Sequence, residues 1–300
     1  MNKLALQLTL LATALACLLP AGSAQAQIRV FVSQTGADTN PCTFVSPCKS
    51  AQHAHDVAAA GGEILMLDAG GYGKLTITKA ITILGGGHGE LALTTFSNSA
   101  AVTINANATD KITLRGLVIE GLDLGEDGIK FNSGDSLYVQ DCLIHHFDGN
   151  GIKFAPSATS TLMVSNTIIS KNVNTGVTIL PGLAGSAKGV FDRVEISNNR
   201  TRGLDVLGSA TGTVNVNISE STVASNAQYG VGSTGNGRAV TVTVKSSTIA
   251  NNGIGLLAFG NPTAILRVTR STITGNTTGI SAQVTGVLVS PRAPLARART

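Results

Sequence analysis

Tryptophan is absent from this chain, and tyrosine occurs only three times. Neutral sugars are commonly gripped by stacking on aromatic faces, and an aromatic share of 4% makes that platform thin. Charge is also scarce: 13% of residues are Asp, Glu, Lys or Arg, and the formal net charge is +4. That balance is too mild and too dispersed for a nucleic-acid interface, which needs a clustered basic face. It suits an anionic polysaccharide without demanding one. The apolar run Leu4–Leu19 is too short to span a bilayer comfortably. What the chain does have is glycine, 35 residues of it, as a turn-rich β-solenoid would.

The beginning reads as a secretory signal: Met-Asn-Lys, the apolar run, then Ala24-Gln25-Ala26. Cleavage after Ala26 leaves a mature chain in an oxidising extracytoplasmic space, secreted or periplasmic, with no membrane span. Removing Lys3 brings the formal charge from +4 to +3. Within the Pro-bounded loop "PCTFVSPC", Cys42 and Cys48 read as a local disulfide. His53 and His55 lack a familiar zinc spacing with them. Cys142 falls on an inward position and reads as a buried free thiol.

An internal repeat organises the rest. Its anchors are Ile119, Ile144, Ile169, Ile196, Val223, Ile249 and Ile273, at spacings of 25, 25, 27, 27, 26 and 24 residues. Five residues before each anchor stands an apolar residue, from Leu114 to Val268. Two before stands Leu117, Cys142, Thr167, Val194, Ser221, Ser247 or Ser271. Three after, the last five copies carry Asn172, Asn199, Asn226, Asn252 and Asn276. A Gly-aliphatic pair follows, from Gly128-Ile129 to Gly279-Ile280.

Alternating apolar residues within each copy indicate strands, and three short strands per copy make one coil of a parallel β-helix. The reading is all-β: a right-handed parallel solenoid of about nine coils, on the order of 40 Å long. The asparagine slot is expected to be a left-handed corner whose amides stack into a ladder along the axis. A short capping helix is expected at about Ala51–Ala60, behind Ser50 and before Gly61-Gly62. The chain therefore divides into a signal (1–26), an N-terminal strand, Cys loop and helix (27–62), the β-helix (63–285), and a flexible basic tail (286–300).

From Arg29 to Ile280, and in the segment "VFVSQTGADTNPC…PCKS…AAAGGEILMLDAGGYGKLTITKAITILG", the chain resembles the right-handed β-helix proteins of the pectate-lyase-like superfamily. The resemblance implies carbohydrate as the partner: cleaved, epimerised or only bound. The binding reading needs no catalytic motif; a purely structural or adhesive surface role is a further alternative. An enzyme reading places a polysaccharide lyase or glycoside hydrolase site on the coils from Lys111 to Phe154. Lys130 and Lys153 occupy one outward slot in successive coils, with Glu126, Asp127 and Asp148 at hand. In β-elimination a lysine removes the proton beside a uronate carboxylate, and calcium neutralises that carboxylate. Lys130 or Lys153 would be the base; Asp123, Glu126 and Asp127, with Asp148, would hold calcium. For hydrolysis, Asp127 and Asp148 would be the carboxyl pair. The hydrolase Arg-Ile-Lys is missing, and Gly87-His88-Gly89 precedes the carboxylates instead of following them. His145-His146 read as corner residues.

Overall fold

The computed structural model describes residues 27–92, 99–236, 238, 240–261, 264–284 and 287–289. The expected signal and residues 290–300 lie outside them. Each regular turn has a long strand such as Thr159–Ser165, a short one such as Ile168–Ser170, and a third such as Thr175–Ile179. Every strand pairs in parallel with its equivalent one turn away: Ile144 with Ile119 and Ile169, Ile152 with Ile129 and Val177. Long and short strands share an 18-stranded sheet; the third strands form a nine-stranded one, from Leu75–Ile77 to Thr278–Val284. Seven regular turns carry the anchors, preceded by less regular ones in which Ile81–Ala92 slips register between Leu84 and Gly89.

Two columns of left-handed residues bracket each short strand. Three before the anchors stand Gly116, Asp141, Asn166, Arg193, Glu220, Ser246 and Arg270, all with φ between 47° and 63°. Two after the regular anchors stand His146, Lys171, Asn198, Ser225, Asn251 and Gly275, with φ between 56° and 66°. The corner therefore belongs to the residue before each repeated asparagine, which corrects the expectation for Asn172, Asn199, Asn226, Asn252 and Asn276. The asparagines turn inward instead and build the ladder. Asn172, Asn199, Asn226 and Asn252 donate Nδ2–H to the next Oδ1 at 2.9–3.0 Å. Each of these Oδ1 atoms also accepts the backbone N–H of the preceding turn, as Asn226 does from Asn199 at 3.1 Å. These amides are buried, and a buried amide left unpaired costs about 1–3 kcal/mol, so the column must stay complete.

A second ladder lies two residues before the anchors. Ser221, Ser247 and Ser271 accept the N–H of Val194, Ser221 and Ser247 at 3.0–3.2 Å. Each donates its own hydroxyl to a carbonyl two residues back. In the regular turns glycine stands at or just before the start of the third strand because backbone passes close by. A Cβ on Gly203 would meet Gly230 O at 2.5 Å and Asn226 Nδ2 at 2.8 Å. Between these walls the anchors are fully or almost fully buried through Ile249, and Phe131 stacks on Phe154 with centroids 4.5 Å apart.

At the N-terminal end, Gln27–Val32 pairs with Ala58–Met66. The helix α1 spans Ala51–Val57, with Ser50 accepting from His53 N at 3.2 Å. It stops three residues short of expectation, because Ala58 turns extended and pairs with Gln27. Consequently the strand after the helix starts at Ala58, before the boundary expected at 63, and Gln27–Val32 is already part of the same sheet. Cys42 and Cys48 are disulfide-bonded with Cα atoms 4.6 Å apart. At the other end, Val287–Val289 pairs with Ile265–Arg267. The sheet thus continues into the first residues of the segment expected to be a flexible tail. Among the described residues no helix is long and apolar enough to cross a membrane.

Candidate functional site

The nine-stranded sheet of third strands, called the third sheet below, stacks Thr103, Lys130, Lys153, Thr178 and Asp205 in one column of successive turns. Parallel register brings Lys130 beside Lys153, as their common slot implies, and each ammonium finds its own acid. Lys130 Nζ is 3.7 Å from Glu126 Oε2, and Lys153 Nζ is 4.0 Å from Asp127 Oδ2. Both lysines remain about one-third exposed.

Asp127 is fully buried. Its Oδ1 accepts Asn150 N–H at 3.0 Å and Nδ2–H at 2.7 Å, while Asn150 Oδ1 accepts from Thr178 at 3.0 Å. Its Oδ2 is buried without a hydrogen-bond partner among the described residues, facing the Lys153 ammonium. The adjoining turn is pressed so close that a Cβ on Gly149 would stand 3.0 Å from Asp127 Oδ1. Asp127 is thereby a wall carboxylate, with one oxygen committed to holding the next turn in place. Asp148 is exposed, and its N–H donates to Gly125 O at 2.8 Å. The two acids expected to flank a glycosidic bond thus have opposite surroundings. The trio Asp123, Glu126 and Asp127 does not bring its oxygens within 4.8 Å of one another. The reason is local: Glu126 faces Lys130, Asp127 faces inward, and the Asp123 charge acts on His145.

Two further features share these walls. Farther along the third sheet, Arg202 donates to Asp205 Oδ2 at 2.8 Å and lies 5.3 Å from the Tyr229 ring centroid. Tyr229 lies so close over Gly232 that a Cβ there would meet its ring at 2.4 Å. Burial raises the Asp205 pKa above the ordinary carboxylate value, opposed by Tyr229 and Arg202, and burial raises that of Tyr229. Asp205 and Tyr229 are 24 residues apart, and the signal in the sequence for this cluster is that both fall on third strands one repeat apart.

On the long sheet, Thr113, Tyr138, Met163 and Val190 make an outward column of successive partners. A cavity of about 430 Å³ opens there, lined by Tyr138, Met163 and Val190 and rimmed by Gln140, Ser165, Asp192 and Ser219. Tyr72 and Tyr229 are buried, so Tyr138 is the tyrosine whose ring the solvent can reach. Cys142 lies beneath the neighbouring corner, and burial pushes its thiol pKa up to about 11, which keeps it protonated and inert. His145-His146 sit at the corner expected of them, beside Glu120.

A parallel solenoid with ladders inside stacks its outward residues into columns on its outer faces. A model described as a right-handed β-helix region matches residues 74–214. The chain has a right-handed parallel β-helix fold. It is similar in structure to a pectate lyase, Pel9A, with TM-score 0.60 and 14% identity over 88% of this chain and 78% of that one. A rhamnogalacturonan lyase aligns with TM-score 0.49 and 13% identity over 87% of this chain and 84% of that one. The A-module of the mannuronan C-5 epimerase AlgE4 from Azotobacter vinelandii aligns with TM-score 0.48 and 12% identity over 76% and 86%. No curated protein matches the chain.

Proposed function

We propose that this protein binds extracellular or cell-surface carbohydrate on the outer face of its long sheet, at the Tyr138 groove. One observation carries the reading. The solvent-accessible tyrosine lies in a cavity whose rim presents an amide, hydroxyls and a carboxylate from four successive turns. Successive turns repeat at about 4.8 Å, close to the rise of one sugar in an extended chain, so the rim can meet one polymer at several points. Tyr138 supplies the apolar face and the rim supplies the hydrogen bonds. Likeness to a pectate lyase supports a glycan partner through the fold alone. The Cys42–Cys48 disulfide and the N-terminal apolar segment support a secreted or periplasmic place of action.

The test is affinity electrophoresis and a glycan array with acidic and neutral polymers. Tyr138→Ala is expected to weaken binding about tenfold, since an anchoring aromatic commonly contributes more than about 1 kcal/mol. Unchanged retention by every retained polymer would remove the groove from the reading.

A second reading, elimination on a uronate polymer, rests on the paired Lys130 and Lys153 ammonium groups, which are about one-third exposed and able to meet an acid sugar. It requires calcium at the Asp123–Asp127 turn and new ultraviolet absorbance from unsaturated ends, lost in Lys153→Ala. The inward commitment of Asp127 makes binding the reading preferred here.

A further inference from the structure

Glu120 and His145 are direct partners in the parallel ladder, each one residue after its anchor. His146 follows in the left-handed corner, φ 57°. A left-handed residue swings its side chain out of the strand's alternation, and here the ring returns to stand beside that of His145. The two imidazole rings meet edge to face, with centroids 4.7 Å apart and planes at 79°. Their Nδ1 atoms face each other at 2.5 Å. Glu120 Oε1 lies 3.8 Å from His145 Nδ1 and 3.9 Å from His146 Nδ1. The three ligand atoms all lie within 4.8 Å of one another.

One hydrogen bond accounts for the Nδ1–Nδ1 contact and leaves the approach of the carboxylate unexplained. A neutral imidazole nitrogen is either donor or acceptor, so at most one proton lies between the two Nδ1 atoms. The carboxylate oxygen stands beyond hydrogen-bond reach of both rings. Three lone pairs therefore converge on one small volume while sharing a single proton. The neighbouring Asp123 adds negative charge and Lys171 in the next turn opposes it. All three donors are partly buried, with side-chain exposures of 26%, 14% and 33% for Glu120, His145 and His146. A ligand entering there loses little of its access to water.

We propose that Glu120, His145 and His146 form a site for a divalent first-row transition metal ion. Two imidazole nitrogens and one carboxylate oxygen are the donor set that suits zinc and its neighbours, and unlike calcium they do not require six to eight oxygens. Metal–ligand lengths of about 2.0–2.2 Å put tetrahedral donors roughly 3.4 Å apart. Filling the site opens the Nδ1–Nδ1 pair and draws the carboxylate in, a movement open to His146 and Glu120 because both reach solvent. Three protein donors leave the remaining position to water or to an oxygen of a bound molecule.

The experiment is calorimetric titration of the untagged protein with Zn²⁺, paired with Co²⁺ absorption as a report of coordination geometry. One ion per chain is expected, together with a rise in Tm. His146→Asn keeps a residue tolerant of the corner and is expected to weaken Zn²⁺ binding by more than about tenfold, as loss of a direct ligand should. Glu120→Gln is expected to weaken it as well, while Glu195→Gln, exposed two turns away, leaves it unchanged. Circular dichroism on each variant separates lost ligation from lost folding. Absence of Zn²⁺ binding, or wild-type affinity in both His146→Asn and Glu120→Gln, would overturn the proposal.

Discussion

Ser225 holds φ 57° and is exposed, with no side-chain partner needed to explain it. A left-handed backbone costs an L-residue about 1–2 kcal/mol, and glycine avoids that while losing more chain entropy on folding. Ser225→Gly is therefore expected to stabilise the protein by about 0.5 kcal/mol, and Ser225→Val to destabilise it by about 1 kcal/mol. Urea denaturation of the three proteins decides it; the order Gly, Ser, Val must hold. The sequence showed the asparagine column but led to the wrong slot for the corner. Asparagine tolerates left-handed angles, so composition pointed to it. The actual corner holds His146, Lys171, Asn198, Ser225, Asn251 and Gly275, and only the two asparagines and the glycine are types that favour it, against an unbroken asparagine column one residue on. Asp127 was legible as a carboxylate in a turn, but its inward commitment was not, because that depends on Asn150 one turn on.

The two ladders and α1 are the elements whose chemistry decides stability. Asn199 bridges Asn172 and Asn226 and is buried. Asn199→Ala removes one amide and strands the Asn172 amide above it, so a loss of about 2–4 kcal/mol is expected by thermal or urea unfolding. A loss under about 0.5 kcal/mol would show that the ladder is incidental. On α1, His55 Nε2 accepts the N–H of Thr78 at 3.2 Å, while Nδ1 faces Asp56 at 3.0 Å. Burial lowers its pKa below the ordinary 6.5, with the Asp56 hydrogen bond pulling the other way. The unfolded ring takes its proton near 6.5 and the folded ring only at lower pH. Its contribution is thus fully present above 6.5 and is lost as pH falls through that value toward the folded one. Tm is expected to drop between about pH 7.5 and 5.5, and to drop less in His55→Gln. Equal drops would clear His55 of the effect. The helix itself was legible from Ser50 and the alanines; its end was not, because pairing of Ala58 with Gln27 cuts it short.

At the scale of the molecule, strands among the described residues pair with equivalents one turn away. The seven anchors made this architecture readable from the chain alone, since a fixed period records stacking directly. The outer surface was less readable. Residues at one groove, such as Tyr138, Met163 and Val190, are separated by whole repeats, and only register brings them together. Register also suggests an excision. Residues 226–251 run from one ladder asparagine to the corner before the next, and deleting them joins Ser225 directly to Asn252. Asn199 would then find Asn252 where Asn226 had been. The shortened protein is expected to stay soluble, keep its β circular dichroism, and scatter X-rays as a rod shorter by about 4.8 Å. Aggregation would mean that adjacent turns are not interchangeable. If the splice folds, length becomes an adjustable property of this protein: a segment can be dropped as a bead is dropped from a string, leaving the Tyr138 cleft and the His145–His146 corner untouched upstream.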